Sequence, residues 1–478
     1  MIPLIDRVLD PAARANAVGR YRERGIVLPT FAQQRDPSLV PEKVRDRLKG
    51  IGLWDLDPLN LFRITWKNEP QEHGGGYGPV NHLVLPPELT GVPSPIVMIV
   101  GKWFPTGAHK VGAAYGCLAP TIISGGFDPT RQKAVWPSTG NYCRGGAFDS
   151  YLMGCTAIAI LPEEMSRERF AWLEEIGAEV IATPGCESNV KEIYDKCWEL
   201  KRTRDDVVIF NQFAEFGNAV WHHTCTGSAV AEITGPMGGR LAAYVSATGS
   251  AGTIAAGDHL KTVNPAMKTV ASEALQCPTL YMNGFGGHRI EGIGDKHVPW
   301  IHNVRNTDCV AAIDDEDCMR LLRLFNEEAG HEVLRAAGVD EGSLEALPLL
   351  GISCIANLLS AIKTARWFEY GANDIVVSVA TETTMSPAVC SNQRAVLTAA
   401  STLAMEEMPS RGRAARVCSS TPAARSTSWP AVSLNRRSRR MQSSSSMAAT
   451  ASVLRALWIH GTCLSPMPSM RWPPKPFM

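Results

Sequence analysis

The segment that decides the fold is LAAYVSATGSAGT, residues 241–253, in which an apolar run passes directly into small residues. The run at 241–245 predicts a buried strand, and the residues after it predict a loop that leads into a helix. Small side chains let successive backbone N–H groups converge on an anion, and the positive end of the helix strengthens the attraction. No Gly-Lys-Ser/Thr follows, and the GxGxxG spacing of dinucleotide sites is missing, so the loop suits a single phosphate group.

The same order of strand, loop and helix recurs along the chain from about residue 94. Short runs rich in β-branched residues alternate with longer amphipathic stretches, which is typical of parallel strands joined by helices. The alternation predicts an α/β fold with helices on both faces of a sheet, because neighbouring parallel strands need a helix-length connection. Ligands of such sheets bind beyond the carboxyl ends of the strands. The predicted strands are 96–100, 134–137, 156–161, 179–183, 207–211, 241–246, 268–274 and 374–379.

Three further polar segments follow predicted strands. The first, TGAHKVGA at 106–113, contains Lys110, which in isolation is most simply a solvated residue at a helix start. The second, Ser138-Thr139-Gly140-Asn141, offers hydroxyl and N–H groups for a carboxylate, although a plain N-cap and turn would look the same. The last is Thr381, whose hydroxyl would face a ring nitrogen and which is a weak signal by itself.

The composition argues against several classes of partner. Lys and Arg together number 47, as do Asp and Glu, so no net charge draws the chain to nucleic acid or to an anionic membrane. The start lacks the pattern of a secretory leader, and no apolar run approaches the ~20 residues that span a bilayer. The 13 cysteines are scattered, without CxxC pairs or metal-like spacing with histidine. We therefore expect a cytoplasmic protein with reduced thiols, no metal and a small-molecule substrate.

The two ends of the chain differ from its centre. Residues 1–93 are rich in Pro and Arg and predict an N-terminal extension. Residues 387–478 lack apolar periodicity, and runs such as those at 436–440 and 443–446 cannot build a core. This tail is either a basic low-complexity segment or the product of a frameshift in a GC-rich gene. Translating the other two reading frames tests the frameshift, which would be excluded if neither frame continued into helix-periodic sequence.

Further motifs in the centre complete a family pattern. Asn211-Gln212-Phe213 precedes a Thr-Gly pair at 226–227, and the segments 286–294 and 351–357 read GGHRIEGIG and GISCIAN. In this order and spacing, the loops resemble those of the pyridoxal-phosphate enzymes of the tryptophan synthase β-like superfamily, fold type II. The resemblance is strongest to the cysteine synthase and cystathionine β-synthase family, and it implies a catalytic domain at about 94–386.

The resemblance also implies an architecture and a set of roles. It implies two lobes, each with a mostly parallel twisted sheet flanked by helices, and pyridoxal 5'-phosphate in the cleft between them. The smaller lobe, at about 134–240, would be inserted in the larger, and the protein would be a homodimer. Lys110 would form the internal aldimine and later act as a base at Cα. Cofactor contacts would come from Lys110, Asn141, Thr248, Gly249, Ser250, Gly252, Thr253 and Thr381, and substrate contacts from Ser138, Thr139, Gly140 and Gln212.

Departures from the family pattern leave the substrate open. The tripeptide Gly107-Ala108-His109 before the lysine is similar to tryptophan synthase β, whereas the loop at 138–141 is similar to cysteine synthase. Tyr142-Cys143 and Asp295-Lys296 stand where smaller residues are usual in the family. These substitutions predict a reshaped substrate side of the pocket.

Three functions follow from these observations. The leading one is β-replacement or β-elimination on a small amino acid through an aminoacrylate intermediate, as in cysteine synthase. An ammonia-lyase acting on serine or threonine would share the cofactor and the lysine but use no second substrate. A cofactor-binding partner protein without catalytic activity is the third, and the intact Lys110 and Asn141 argue against it.

Overall fold

The computed structural model describes residues 7–70, 73–138, 140–165, 167–185, 190–284, 286–295 and 297–380, and the backbone of 464–466. Within them the chain forms two β-sheets surrounded by helices. The strands are β1 His82–Leu85, β2 Ile96–Val100, β3 Lys133–Pro137, β4 Thr156–Pro162, β5 Glu179–Thr183, β6 Val207–Ile209, β7 Arg240–Ala247, β8 Lys268–Ala274, β9 Cys309–Ile313, β10 Asp374–Ala380 and β11 Leu464–Pro466.

The larger sheet has a parallel centre and antiparallel edges. Its strand order is β1-β2-β10-β7-β8-β9-β11, in which β1 pairs antiparallel with β2, and β11 pairs antiparallel with β9. The pairs among β2, β10, β7, β8 and β9 are parallel. The smaller sheet, β5-β4-β3-β6, is parallel throughout. The predicted α/β fold with two mostly parallel sheets is therefore confirmed.

Helices connect the parallel strands and pack on the sheets, as parallel pairing requires. A buried helix, Ile352–Trp367, lies against the centre of the larger sheet, and Val190–Thr203 packs on the smaller one. The α-helices are α1 Pro11–Arg24, α2 Phe31–Arg35, α3 Glu42–Leu48, α4 Pro87–Thr90, α5 Lys110–Ser124, α6 Asn141–Leu152, α7 Arg167–Glu175, α8 Val190–Thr203, α9 Phe216–Trp221, α10 Gly227–Thr234, α11 Ala255–Val263, α12 Thr279–Met282, α13 Asp315–Asn326, α14 Glu328–Ala336, α15 Glu341–Ala346 and α16 Ile352–Trp367.

The burial and the residue types of each strand explain how well the sequence predicts it. Strands β2, β5 and β8 have the predicted bounds, and every residue of β2 is buried, as expected for a continuous apolar run in a parallel sheet. Three described strands were missed: β1, β9 and β11. Strand β1 is a partly exposed edge strand with little alternation, and β9, with the sequence CVAAI, is too rich in small residues to stand out as β-branched.

The segment before residue 94 packs into the same unit as the sheets. Strand β1 adds directly to the larger sheet, and the indole of Trp66 donates a hydrogen bond to the Thr226 hydroxyl at 3.0 Å. The Tyr115 hydroxyl donates to the Pro29 carbonyl at 2.5 Å, and the Trp221 indole donates to the Gln34 side chain at 2.9 Å. Aromatic side chains of the centre are thus held by groups from the N-terminal residues.

The described residues can be searched for membrane-spanning helices, metal sites and disulfides. None of their helices is long and apolar enough to cross a membrane, and they contain no cluster of three or more metal-binding side chains. The described cysteines are buried free thiols. Thr139, Thr381 and Lys296 lie outside the described residues, as does the predicted tail apart from the backbone of β11. The domain boundaries proposed from the sequence stay predictions.

Candidate active site

A cleft opens where the carboxyl ends of strands from both sheets meet. It encloses about 1100 Å³ of space open to solvent. Its walls include Lys110, which follows β2, Ser138, which follows β3, Phe213, which follows β6, and Ser250, which follows β7. Parallel strands bring loops that are far apart in sequence to one edge of a sheet, and this edge is where ligands of α/β proteins bind.

The amine of Lys110 is held between two of the predicted loops. It donates to the side-chain oxygen of Gln212 at 3.3 Å and to the hydroxyl of Ser250 at 3.2 Å. The Gln212 amide in turn donates to the hydroxyl of Ser138 at 3.3 Å, and the backbone N–H of Gly140 donates to that same hydroxyl at 3.3 Å. The structure therefore brings Lys110 together with Ser138 and Gly140 of the second predicted loop and with Ser250 of the loop after β7.

The loop at 249–253 presents a row of backbone donors to a second, adjoining cavity of about 460 Å³. Within the described chain, no group accepts a hydrogen bond from the backbone N–H of any of these five residues. Ala251 has a φ of 60°, in the left-handed region, which turns successive N–H groups toward one side. Lys110 and Asn141 line the same cavity, so a phosphate bound in this loop would lie beside the lysine.

Close packing behind the loop makes a glycine necessary at 252. A Cβ atom there would lie 1.9 Å from Oδ1 of Asn218. Asn218 cannot swing away freely, because its amide donates to the Gln212 carbonyl at 3.0 Å and to the Ser250 hydroxyl at 3.1 Å. Asn218 was missed by the sequence analysis, since a lone asparagine in a helix gives no signal. It supports both Gln212 and Ser250, the two partners of the Lys110 amine.

A buried aromatic cluster supports the loop from the other side. His109, next to the lysine, contacts the Thr253 hydroxyl at 3.3 Å and stacks on the indole of Trp66, with ring centroids 5.7 Å apart. The His222 ring meets His109 edge to face, with centroids 5.0 Å apart, and its Nδ1 is 2.8 Å from the Thr226 hydroxyl. Burial, and then the neighbouring His109 and Lys110, hold the pKa of His222 well below its usual value. His222 is therefore neutral.

Asn141, Thr248 and Asn357 differ in whether they reach the cavity beside Lys110. Asn141 begins α6 and lines both cavities. The hydroxyl of Thr248 donates to the Ser272 carbonyl at 3.2 Å, which directs it to the neighbouring strand and not to the Lys110 cavity. Asn357 on α16 lines the Lys110 cavity, and its amide donates to the Val379 carbonyl at 2.8 Å. Its loop was noted for resemblance, but its side chain was not predicted to reach the site.

A second part of the cleft lining is made of rings and acids. Tyr194 on α8, Phe213 and His297 form a cluster, hereafter the ring cluster, with centroids 6.1, 5.8 and 5.7 Å apart. The carboxylate of Asp295 is 3.3 Å from Nδ1 of His297, and only 2% of the Asp295 side chain is exposed. The hydrogen bond to Asp295 raises the pKa of His297, and burial, followed by the Asp295 charge, raises that of Tyr194.

The residues of the cleft fit a pyridine ring that carries a phosphate and an aldehyde. The loop at 249–253 supplies N–H donors and the Ser250 and Thr253 hydroxyls for the phosphate, at the start of α11. Lys110 supplies the amine that the aldehyde requires, and Asn141 stands beside it. At Gly252, where this loop turns, the packing of Asn218 leaves no room for a side chain.

Comparisons with known proteins agree with this fit. The family model described as "Pyridoxal-phosphate dependent enzyme" matches residues 103–340. A probable cysteine synthase of Bacillus subtilis is 29% identical over 263 residues, covering 55% of this chain and 78% of that protein. A cysteine synthase of Staphylococcus aureus is 29% identical over 276 residues, covering 58% of this chain and 81% of that protein.

Solved structures show the same fold. An O-acetylserine sulfhydrylase of Entamoeba histolytica has a TM-score of 0.54 at 23% identity, covering 63% of this chain and 85% of that one. A hydrogen sulfide-producing enzyme of Fusobacterium nucleatum has a TM-score of 0.54 at 21% identity, covering 63% and 84%. Over the matched residues 103–340, the chain is similar to the pyridoxal-phosphate-dependent enzymes of fold type II. Among them it is similar to the cysteine synthases, and its cofactor is pyridoxal phosphate.

Proposed function

We propose that the protein catalyses β-replacement on a small amino acid, as a cysteine synthase does with an activated serine. The observation that carries the proposal is the position of the Lys110 amine, which is hydrogen-bonded to Gln212 of the substrate side and to Ser250 of the phosphate loop. A base held between the two loops is placed for proton transfer at Cα of a bound amino acid. The similarity to cysteine synthases over 55% of the chain supports the same reaction class.

The roles of the chain's own residues follow from their contacts. When bound, pyridoxal phosphate supplies an electron sink for the Cα carbanion. The Ser138 hydroxyl and the N–H groups at the start of α6 would bind the substrate carboxylate, with Gln212 orienting the hydroxyl at 3.3 Å. Lys110 would move the Cα proton, and the loop at 249–253 would hold the phosphate. Thr139 and Thr381 keep the roles predicted from the sequence as proposals.

The assembly and the location of the protein are proposed from the family resemblance and from the sequence. We propose a homodimer in the cytoplasm, because the family resemblance implies the first and the sequence pattern favours the second. Sedimentation of the purified protein tests the dimer. The balanced charge also leads us to propose that the protein has no nucleic-acid or membrane partners.

The experiment combines visible absorption with product analysis. O-acetylserine added to the purified holoenzyme should change the cofactor spectrum, and sulfide should then release cysteine and restore it. Serine or threonine alone, if it gave steady keto acid and ammonia, would favour the ammonia-lyase and overturn β-replacement. Absence of any spectral change with all three amino acids would reject both reactions.

A further inference from the structure

Trp66 lies in the N-terminal part of the chain but reaches the residue next to the lysine. It precedes residues 103–340, which match the family model. Trp66 is only 2% exposed, and its backbone carbonyl accepts hydrogen bonds from the N–H of Asn81 at 3.3 Å and from the Asn81 side chain at 3.2 Å. Its indole stacks on the ring of His109, with the two planes 20° apart. Trp66 is thus firmly held and in direct contact with the neighbour of Lys110.

A chain of hydrogen bonds runs from the same indole to the second buried histidine. The indole N–H of Trp66 donates to the hydroxyl of Thr226 at 3.0 Å, and that hydroxyl lies 2.8 Å from Nδ1 of His222. A hydroxyl carries one proton, and its oxygen here already accepts from the indole, so all three groups are satisfied when Thr226 donates to Nδ1. The proton of the neutral His222 is then on Nε2. Through Thr226, Trp66 therefore sets which nitrogen of His222 carries the proton.

The two histidines lie between this tryptophan and the phosphate loop. His222 meets His109 edge to face, with centroids 5.0 Å apart, so the ring of His109 is bordered both by the indole and by His222. Nε2 of His109 is 3.3 Å from the hydroxyl of Thr253. His109 and Thr253 both line the cavity beside Lys110. A rotation of the His109 ring would therefore change the polar lining of the cavity that suits the phosphate.

Filling of the hydrophobic core is the competing explanation for Trp66. Its ring packs on that of Phe104, with centroids 5.0 Å apart and the planes nearly perpendicular. Core filling alone requires neither an indole N–H nor a hydroxyl at position 226, because an apolar pair of the same shape would fill the space without burying polar groups. The stacking and the hydrogen bonds of Trp66 both lead toward the two histidines. They therefore indicate a role in placing the histidine rings.

We propose that Trp66 is a positioning residue for the cofactor phosphate. It acts through His109, which it holds directly by stacking and indirectly through Thr226 and His222. Held in this way, His109 keeps its Nε2 at the Thr253 side of the phosphate cavity. The inference concerns the binding of the cofactor and does not depend on the proposed β-replacement. It assigns to the cofactor site a residue that precedes the region matched by the family model.

The test replaces the indole and measures cofactor binding directly. Trp66→Leu removes both the stacking and the N–H donor, and it should raise the dissociation constant of pyridoxal phosphate about tenfold. Trp66→Phe keeps a ring for stacking, and it should raise the constant only about threefold. The phosphorus NMR resonance of the bound cofactor should shift in both variants, because the neighbour of the phosphate is no longer fixed. Equilibrium dialysis and phosphorus NMR of the holoenzymes measure these changes.

Trp136→Phe is the matched control. Trp136 is fully buried, its indole N–H also donates to a hydroxyl, that of Ser150, at 2.9 Å, and it lines neither of the two cavities that Lys110 lines. Both Phe variants should lose stability in urea to a similar extent. Only Trp66→Phe should change the cofactor affinity and the phosphorus resonance. Equal changes in the two variants would make Trp66 an ordinary core residue and overturn the inference.

Substitutions at Thr226 cover the case in which the Trp66 variants do not fold. Thr226→Val removes the hydroxyl but keeps the shape of the side chain, and it should weaken cofactor binding about fivefold. Thr226→Ser retains the hydroxyl and should bind the cofactor as the wild type does. Wild-type affinity and an unshifted phosphorus resonance in Thr226→Val would overturn the inference. Equal losses of affinity in the Val and Ser variants would also overturn it, because the hydroxyl would then not be responsible.

Discussion

The two walls of the cleft are built in different ways. The wall with Lys110 and the loop at 249–253 binds through backbone N–H groups and small side chains, and it is fixed by close contacts such as that of Gly252 with Asn218. The other wall, with Asp295 and the ring cluster, is built from large side chains. Backbone geometry tolerates few substitutions, whereas side chains can be exchanged on the same frame. The first wall therefore suits the invariant part of the reaction, and the second suits the choice of substrate.

The largest effect is expected at the centre of the first wall. Replacing Lys110 with Ala removes the amine that bridges Gln212 and Ser250, and turnover of O-acetylserine and sulfide should fall at least about a thousandfold. Steady-state rates measure the loss. Lys102→Ala, at an exposed position in the loop before α5, is the control. Turnover within tenfold of the wild type in Lys110→Ala would contradict the assigned role.

A pair of glycine substitutions tests the packing of the same wall. Gly252→Ala places a Cβ atom against Asn218 and should weaken cofactor binding at least about tenfold while destabilising the fold by about 1–3 kcal/mol. At Gly249 the nearest atom to an added Cβ would be 3.4 Å away, so Gly249→Ala should have a smaller effect on both quantities. Cofactor titration and urea unfolding measure them. Equal effects of the two variants would show that the contact between residue 252 and Asn218 does not control cofactor binding or stability.

The walls should respond to pH with opposite sign, and the larger response belongs to the first. His222 is neutral when folded because burial lowers its pKa, whereas the unfolded chain protonates near the ordinary value of about 6.5. The free energy of unfolding should therefore decrease as the pH falls below about 6.5, by up to about 1.4 kcal/mol per pH unit. Urea unfolding between pH 5 and 8 measures this slope, and His222→Gln should reduce it. A slope unchanged in the variant would exclude His222 as its source.

The smallest effect is expected at His297. Asp295 raises its pKa, so the pair stabilises the folded state fully below the unfolded value of about 6.5 and loses this contribution as the pH rises through the raised folded pKa. Half of the His297 side chain is exposed, so solvent limits the contribution to less than about 1 kcal/mol. NMR titration of the imidazole should show the raised pKa in the wild type and a lower one in Asp295→Asn. Identical titration of His297 in both proteins would mean that Asp295 does not raise the pKa of His297.

The sequence predicted the first wall far better than the second. The loop at 249–253 was named because glycine-rich turns after apolar strands have few structural explanations. Lys110 and Gln212 were named because their segments resemble the family pattern. Asp295 was noted only as a departure from a family pattern, and Tyr194 was not noted at all. Nothing local distinguishes a tyrosine on an amphipathic helix from one that packs in a core. Asn218 and Asn357 were missed for the same reason.

The sequence by itself determined the order of strands and helices and the phosphate-type loop, because these depend on hydrophobic periodicity and on short-range backbone geometry. Only the tertiary structure decided which side chains meet in the ring cluster. Tyr194, Phe213 and His297 come from a helix and two loops, and they meet because parallel strands bring distant loops to one edge. Contacts between residues so far apart in the chain follow from the packing of whole elements, which no local pattern records.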